Sequence, residues 1–285
     1  MPELPEVETI VRRLRLSLIG QTIQTVQVLT PKILRLPPRI FVRSLTGSII
    51  REIRRKGKLI LIDLGPVGIL VLHLKMTGQV LLEPNSTAID RHTHVIFSLS
   101  PLNSQMRYRD IRKFGFFDLI PGDLSGQLPY VSKVGPDPFE LSSRKFFQII
   151  QSKNKAIKSL LLDQSVISGL GNIYVDESLF QAGIHPQTKA QVLTPGRVKM
   201  LHQIIKKILS QAIRMQGSTL KDYRRPDGAS GKFQNYHQVY GRTGHPCPVC
   251  RSAILKMKVG SRGTHYCAFC QKKPEHSLEK NHFII

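Results

Sequence analysis

The first residues of the chain could supply a nucleophile and a proton-transfer group together. Removal of Met1 would leave Pro2 with a free secondary amine, followed directly by the carboxylate of Glu3. An α-amino group titrates near ~7.7–8.0, so a useful fraction is uncharged at neutral pH and can attack an aldehyde-like carbon to give an iminium. Proline and glutamate are also ordinary residues at the start of a helix. Taken alone, helix initiation is the commoner explanation.

A second chemical motif is formed by two Cys-x2-Cys pairs near the C-terminus, Cys247, Cys250, Cys267 and Cys270. Four thiolates at this spacing supply the closed tetrahedral shell of a structural Zn²⁺ ion. All the cysteines of the chain are used, and a disulfide framework would not suit a cytoplasmic protein. The pattern therefore predicts one structural zinc, with Arg262 near the tip of the hairpin between the pairs.

The composition is strongly basic, with 42 Lys and Arg against 19 Asp and Glu and a formal net charge of +23. Such an excess predicts a polyanionic partner, most simply nucleic acid, and an affinity that falls steeply with salt. A ribosomal or general basic protein has the same composition. No run of eighteen apolar residues and no secretory pattern is present, which predicts a soluble, cytoplasmic protein without a membrane span.

These motifs must be positioned by more than one domain, and the sequence predicts an α+β multi-domain protein. An amphipathic helix is predicted from Val7 to Ile19, ahead of a β-sandwich within domain 1–130. The sandwich strands are expected at 23–29, 48–54, 58–64, 69–74, 79–82, 95–99 and 116–120.

The second half of the chain turns helical after a Pro- and Gly-rich linker, 131–145, whose composition already changes at Leu128. Domain 146–237 carries helical segments, the clearest from Pro195 to Gln216. Within it, the long stretch 217–235 is equally compatible with a functional loop and with disorder. A zinc ribbon, 238–272, and a tail, 273–285, complete the chain.

A further anion site is suggested by the glycine-rich stretch from Ser168 to Tyr174. Asn172 would lie at the N-terminus of the following helix, where exposed N–H groups attract phosphate. Asn172 could instead simply cap that helix. The two roles are compatible, and two helices joined by such turns resemble a helix–two-turn–helix element.

Together these motifs resemble the formamidopyrimidine-DNA glycosylase family of bacterial 8-oxoguanine repair enzymes. The resemblance spans the chain to about Gln271 and depends on the zinc ribbon and on five segments: Pro2–Glu8, Gly57–Lys58, His73–Gly78, Asp110–Gly115 and Gly169–Tyr174. Leu4 is similar to this family rather than to the endonuclease VIII branch. The tail departs from the family by running past its usual end.

The resemblance implies a role for each matching residue. Pro2 would attack the sugar C1′ of the damaged nucleotide, with Glu3 as general acid/base, assisted by Glu6. Lys58 would be the proton donor for β-elimination, and Arg262 the proton donor for δ-elimination. Both would also contact the phosphates flanking the lesion, together with His73 and Asn172. The remaining DNA contacts implied are His92 and Lys153 and the trio that fills the gap left by the extruded base, Met76, Arg112 and Phe114.

Simpler explanations compete with several of these roles. Met76 and Phe114 would otherwise be core residues, and His92 and His94 a surface pair at a strand edge. The expected function is a monomeric, bifunctional glycosylase/AP lyase acting on double-stranded DNA with oxidised purines or abasic sites. The competing functions are a catalytically silent DNA-binding protein and an enzyme for oxidised pyrimidines.

Overall fold

The structure is a computed structural model that describes residues 1–122 and 129–273. Leu128, where the linker composition begins, and all but the first residue of the tail 273–285 lie outside the described residues. The chain forms two compact units. One contains Met1–Glu140, Gln164–Gly171 and Lys206–Tyr236. The other contains Leu141–Asp163, Asn172–Ile205 and the described residues from His237 onward.

The first unit begins with helix α1, Leu4–Leu18. Glu3 is its N-cap and forms a capping box with Glu6, whose carboxylate accepts the Glu3 backbone N–H at 2.8 Å. A capping box satisfies backbone donors that a helix start otherwise leaves unpaired. The helix therefore starts before the predicted Val7, because these acids define its first turn ahead of the apolar stripe.

Two four-stranded antiparallel sheets follow. The first sheet contains, in spatial order, β1 (Thr22–Val28), β6 (Thr93–Ser100), β7 (Ser104–Asp110) and β5 (Gly78–Pro84). The second contains β2 (Glu52–Lys56), β3 (Leu59–Asp63), β4 (Ile69–His73) and β8 (Phe116–Ile120). Strand β5 is therefore an edge of the first sheet, and strand β8 is an edge of the second.

One apolar core joins both sheets to helix α1. Ile60 and Leu72 of the second sheet belong to the same buried cluster as Phe97 of the first sheet and Leu14 of α1. The opposite face of the second sheet is also covered, around a smaller cluster that includes Val71. Strands buried on both faces read as continuous apolar runs. The predicted β-sandwich with a leading helix is confirmed.

One strand and two helices of the first unit were missed by the sequence prediction. Strand β7 offers only Met106 and Tyr108 as alternating apolar residues among charged ones, so its pattern is weak. Helix α2, Pro38–Leu45, has a proline as its N-cap residue and no polar capping side chain. A short helix, α3 (Pro129–Ser132), lies in the same unit.

The second unit contains helices α4 (Ser143–Gln151), α5 (Ile157–Leu161) and α6 (Asn172–Gln181), and the hairpin of β9 (Leu255–Val259) and β10 (Arg262–Tyr266). Helix α7, Pro195–Arg214, begins in the second unit and ends in the first. These elements agree with the predicted helical segments and zinc ribbon.

A buried ion pair joins α5, α6 and the hairpin of the second unit. Lys158 Nζ lies 2.5 Å from an Asp176 carboxylate oxygen, and both side chains are fully buried. Lys158 also donates to the Gly263 carbonyl at 3.1 Å, and Asp176 accepts the His265 backbone N–H at 2.9 Å. These extra bonds compensate the desolvation that burying two charges costs.

Within the described part of the chain, no helix is long and apolar enough to cross a membrane.

Candidate active site

The N-terminal residues lie at the buried start of helix α1. Pro2 is buried and Glu3 is only 3% exposed, whereas Met1 is 49% exposed. Met1 is therefore accessible at the surface, and its removal would make the Pro2 nitrogen the start of the chain. Pro2 and Glu3, predicted as the nucleophile and the general acid/base, are both buried at the start of the helix.

Glycines of the Ser168–Tyr174 stretch pack directly against this end of the helix. The Leu4 backbone N–H donates to the Gly169 carbonyl at 2.9 Å. Gly169 has a positive φ of 86°, which favours glycine, and a Cβ added to Gly171 would overlap the Glu3 carboxyl group. The predicted tight turn is therefore present, and it also allows the backbone to approach the Glu3 carboxylate.

The Glu6 carboxylate connects the N-terminus to the start of the stretch 217–235. One of its oxygens accepts the Glu3 N–H and the other accepts the Ser218 N–H, each at 2.8 Å. Gly217 adopts a φ of +80°, and an added Cβ there would lie 2.8 Å from Glu6 Oε1. Burial and the negative charge of Glu6 raise the pKa of Tyr223, a residue of the same stretch, so its phenol stays protonated.

The stretch 217–235 has a defined course in the structure, and we call it the active-site loop. Pro226 accepts the Leu82 backbone N–H of edge strand β5 at 2.8 Å, and the Gln79 side chain donates to the Asp222 carbonyl. Asp227 also lies 3.6 Å from Arg13 of α1. These contacts place the stretch against strand β5 and helix α1, and its role remains a prediction from the sequence.

Lys58 and His73 lie at one end of the second sheet. Lys58 follows Gly57 in the turn between β2 and β3 and is only 8% exposed, which agrees with its predicted place at the start of a buried strand. The Lys75 backbone N–H donates to His73 Nδ1 at 2.9 Å, which leaves the ring proton on Nε2. Burial and the charges of Lys75, Lys58 and Arg35 lower the pKa of His73 to about 3. His73 is thus a neutral donor.

Met76, Arg112 and Phe114 form one exposed cluster. An Arg112 guanidinium nitrogen lies 2.9 Å from the Met76 sulfur, and its central carbon lies 4.5 Å from the Phe114 ring centroid. Met76 is 40% exposed and Phe114 is 52% exposed. Core packing is therefore wrong for both residues. The cluster combines an apolar wedge, an aromatic ring and a hydrogen-bond donor, which suits insertion into a base stack.

Asp110, which is fully buried, fixes the two segments that carry this cluster. Its carboxylate accepts the Thr77 hydroxyl, the Tyr108 hydroxyl at 3.0 Å and the backbone N–H groups of Arg112 and Gly115 at 3.2 and 2.9 Å. Burial alone would raise the pKa of Asp110, but these bonds, led by that from Thr77, lower it below its usual value. Sequence reasoning did not identify this role.

His92 and Lys153 are the two further predicted DNA contacts, and the His92 carbonyl accepts the Asp110 backbone N–H at 2.9 Å. His92 is half-buried just before β6, and its ring accepts a bond from Arg91 at 3.2 Å. Lys153 is exposed between α4 and α5, in the second unit. His94 is only 1% exposed and bonds to Thr30 at 2.9 Å and to the Asp110 carbonyl at 2.8 Å, so the surface pair expected for His92 and His94 is wrong.

Asn172 and Arg262 belong to the second unit. Asn172 is the first residue of α6, and its amide donates to the Gly263 carbonyl at 2.9 Å. Its side-chain oxygen is buried without a hydrogen-bond partner among the described residues. Arg262 is exposed and begins β10, directly after the hairpin turn. Asn172 therefore positions the hairpin as well as beginning its helix.

The four cysteines converge as a zinc site. Their sulfur atoms all lie within 4.8 Å of one another, with Cys247 and Cys270 at 3.9 Å and Cys250 and Cys267 at 3.4 Å. Zn–S bonds of about 2.3 Å in a tetrahedron would place the sulfurs roughly 3.8 Å apart, so the residues fit one Zn²⁺. Four protein ligands leave no open position, and the metal is structural.

Three family models match the chain over most of its length. Residues 1–117 match the formamidopyrimidine-DNA glycosylase N-terminal domain, residues 134–224 match the H2TH domain of the same enzyme, and residues 244–273 match the zinc finger found in FPG and IleRS. These matches define a multi-domain protein with a helix–two-turn–helix element and a zinc finger.

Individual relatives agree over nearly the full chain. A formamidopyrimidine-DNA glycosylase of Streptococcus pyogenes is 46% identical over 277 residues, covering 96% of this chain and 99% of the relative. Lactococcus lactis Fpg in complex with DNA containing an abasic site has a TM-score of 0.88 and 37% identity, and its G226P mutant with Fapy-dG DNA has a TM-score of 0.89 and 38% identity. Each match covers 95% of this chain and 100% of the other. The chain belongs to the formamidopyrimidine-DNA glycosylase family.

Proposed function

We propose that this protein is a DNA glycosylase and AP lyase of base excision repair. Its substrates would be double-stranded DNA with 8-oxoguanine, formamidopyrimidines or abasic sites. We also propose that it acts as a monomer in the cytoplasm, on the nucleoid, and that its domains are 1–130, 146–237 and 238–272. The observation that carries the proposal is the buried N-terminal end, where Glu3, next to Pro2 in the sequence, is held by the capping box and lies against Gly171.

The proposed reaction starts once Met1 is removed. The Pro2 nitrogen attacks C1′ of the damaged nucleotide, the glycosidic bond breaks, and the base leaves with a proton from Glu3. The Pro2 nitrogen then gives up its own proton and forms a double bond to C1′, while the C1′–O4′ bond breaks and O4′ takes up a proton. The resulting iminium on the opened sugar acidifies the C2′ hydrogen. β-Elimination expels the 3′ phosphate and δ-elimination the 5′ phosphate, with Lys58 and Arg262 as the respective proton donors. A one-nucleotide gap remains.

The DNA contacts follow from the charge and shape of the other predicted residues. His73, neutral and donating through Nε2, would bind phosphate with Lys58, while Asn172 and Arg262 would do so from the second unit. Taking a base out of a duplex costs a few kcal/mol and leaves a void. The exposed cluster of Met76, Arg112 and Phe114 has the chemistry to fill that void. His92 and Lys153 would add contacts to the DNA backbone.

The decisive experiment is borohydride trapping of Met1-processed protein on a duplex containing 8-oxoguanine. The expected result is a covalent protein–DNA adduct, because borohydride reduces the iminium to a stable amine. Intact mass before the experiment reports whether Met1 is absent. Failure of the processed wild-type protein to form an adduct would overturn the proposal.

The matched control is a variant with one extra residue ahead of Pro2, which keeps every side chain but removes the free imino terminus. It should bind abasic-site duplex and give no adduct. Replacement of Pro2 by glycine is a weaker control, since a glycine amine can still attack. Full cleavage by the extended variant would contradict the assignment of Pro2.

Each competing function predicts a different result in binding and cleavage assays. A catalytically silent DNA-binding protein would bind an abasic-site duplex tightly without nicking it. An enzyme for oxidised pyrimidines would process thymine glycol faster than 8-oxoguanine. The presence of Pro2, Glu3, Lys58 and Arg262 together favours the enzyme, and comparing the two lesions at equal duplex sequence decides the substrate.

A further inference from the structure

A fixed arginine lies beyond the edge of the second sheet. Leu34 forms a parallel bridge with Phe117, and the Arg35 backbone N–H donates to the Phe117 carbonyl at 2.9 Å. This extends the sheet past β8 by a short segment. The exposed Arg35 side chain then places its guanidinium carbon 3.5 Å from the centroid of the Phe116 ring. Stacking of this kind restrains a guanidinium, whose forked donors suit phosphate oxygens.

The Phe116 ring also adjoins the proposed phosphate site. Phe116 is the register partner of His73, and the two rings lie 5.6 Å apart. His73 is in turn the register partner of Leu59, which directly follows Lys58. Strands in a sheet lie ~4.7–4.9 Å apart. The row from β3 to Arg35 therefore spans roughly 14 Å across one end of the sheet.

Lys75 adds a second cation on the same ring. Its ammonium group lies 5.7 Å from the Phe116 centroid, and its backbone holds His73 Nδ1. Lys75 adopts a φ of +50°, a left-handed conformation that L-residues rarely adopt. The charges acting on His73, those of Lys75, Lys58 and Arg35, are all positive. Converging positive charge of this kind attracts an anion.

We propose that Arg35 and Lys75, held against Phe116, bind the DNA phosphate next to the one bound by Lys58 and His73. Successive phosphates of one strand advance about 3.4 Å along the duplex axis, so a row of this length faces more than one of them. Phe116 acts as the platform that keeps both cations in place. This inference rests on the proposed function, because it takes the polyanion to be DNA.

The test is the salt dependence of binding to a duplex that carries a tetrahydrofuran abasic-site analogue, measured by fluorescence anisotropy. Each phosphate contact contributes about 0.9 to the slope of log affinity against log salt. Arg35→Gln and Lys75→Gln should each lower the slope by part of that amount, and the double variant by about 0.9 in total, because the two cations neutralise one phosphate. Phe116→Leu should weaken binding as Arg35→Gln does, with little additional loss when the two are combined.

Lys32→Gln is the matched control, because it removes the same charge from an exposed residue three positions before Arg35. It should leave the slope and the rate of nicking unchanged. Wild-type slopes for both Arg35→Gln and Lys75→Gln, or an equal change for Lys32→Gln, would overturn the inference. Trapping of the wild type by borohydride in the same samples shows separately whether the proposed function stands. Thermal melting of each variant identifies loss of folding.

Discussion

At the scale of single residues, the Glu6 carboxylate holds two backbone segments in a fixed relation. It accepts one N–H from the N-terminal end of the chain and one from the start of the active-site loop. A carboxylate bonded to backbone donors makes short, strong hydrogen bonds. Glu6 therefore links the N-terminal end of the chain directly to the start of the active-site loop.

Gly171→Ala tests how closely the backbone must approach the Glu3 carboxylate, the proposed general acid/base. The added methyl group would overlap the Glu3 carboxyl group and displace it from Pro2. We expect excision of 8-oxoguanine to fall about 10²-fold, since a displacement of about 1 Å can cost that much. Single-turnover kinetics measure the change.

Gly196→Ala is the control for this substitution. A Cβ built on Gly196 meets nothing within 4 Å, and the residue lies in helix α7. Activity should be unchanged and stability slightly higher, because alanine favours a helix over glycine. Equal activity of the two alanine variants would contradict a role for the close approach.

His73 gives a prediction about pH. Its pKa falls from 6.5 in the unfolded chain to about 3 in the folded protein. The His73 ring therefore binds a proton more tightly in the unfolded chain. The contribution of the neutral ring to the free energy of unfolding is fully present above about pH 6.5 and is lost as the pH falls toward 3. His73→Gln should lose less stability than the wild type between pH 7 and pH 5, as measured by urea unfolding without DNA. Identical losses would refute the assignment.

At the scale of elements, Asp110 sits where the chain leaves strand β7 and receives bonds from both segments that carry the exposed cluster. Neither segment is a helix or a strand at this point, so local structure alone does not fix it. One buried carboxylate replaces the missing ladder of backbone bonds. The positions of Met76 and Arg112 therefore depend on a residue that bonds to the Thr77 hydroxyl and to the Arg112 backbone N–H.

Asp110→Asn should loosen this cluster while leaving the N-terminal chemistry intact. The amide cannot accept from four donors at once, and a lost bond to a buried charge costs about 1.5–3 kcal/mol. Excision of 8-oxoguanine should fall more than nicking of a preformed abasic site, because only the former requires a base to be extruded. Measuring both rates on the same protein gives the comparison. Tyr108→Phe, which removes one donor, should show a smaller effect.

The sequence predicted the elements with strong local patterns. Helix α7, which has a clear apolar stripe, was predicted close to its observed bounds, Pro195–Arg214. Strand β8 was predicted at its observed bounds, Phe116–Ile120. Strand β7 and helix α2 were missed because their apolar patterns are short. Gly171 lies against the Glu3 carboxyl group, and Arg35 stacks on Phe116. Both contacts join residues that are distant in sequence, so no local sequence pattern predicts them.

At the scale of the whole molecule, the zinc ribbon is a small unit held by its metal. Cys250→Ala should release zinc and unfold the ribbon, because structural zinc contributes on the order of 10 kcal/mol to folding such segments. Zinc content by atomic emission and DNA affinity should fall together. Val249→Ser is the control, since Val249 is 71% exposed within the same knuckle. Full zinc content in the Cys250 variant would rule out the four-cysteine site.

The bond from Leu82 to Pro226 has a consequence for experiments on the active-site loop. An uncovered edge strand offers its unpaired backbone groups to a second molecule and promotes self-association. Deleting the loop would uncover β5, so the truncated protein could precipitate for reasons unrelated to base recognition. Light scattering of such a deletion should reveal oligomers, whereas single substitutions that leave Pro226 in place should remain monodisperse.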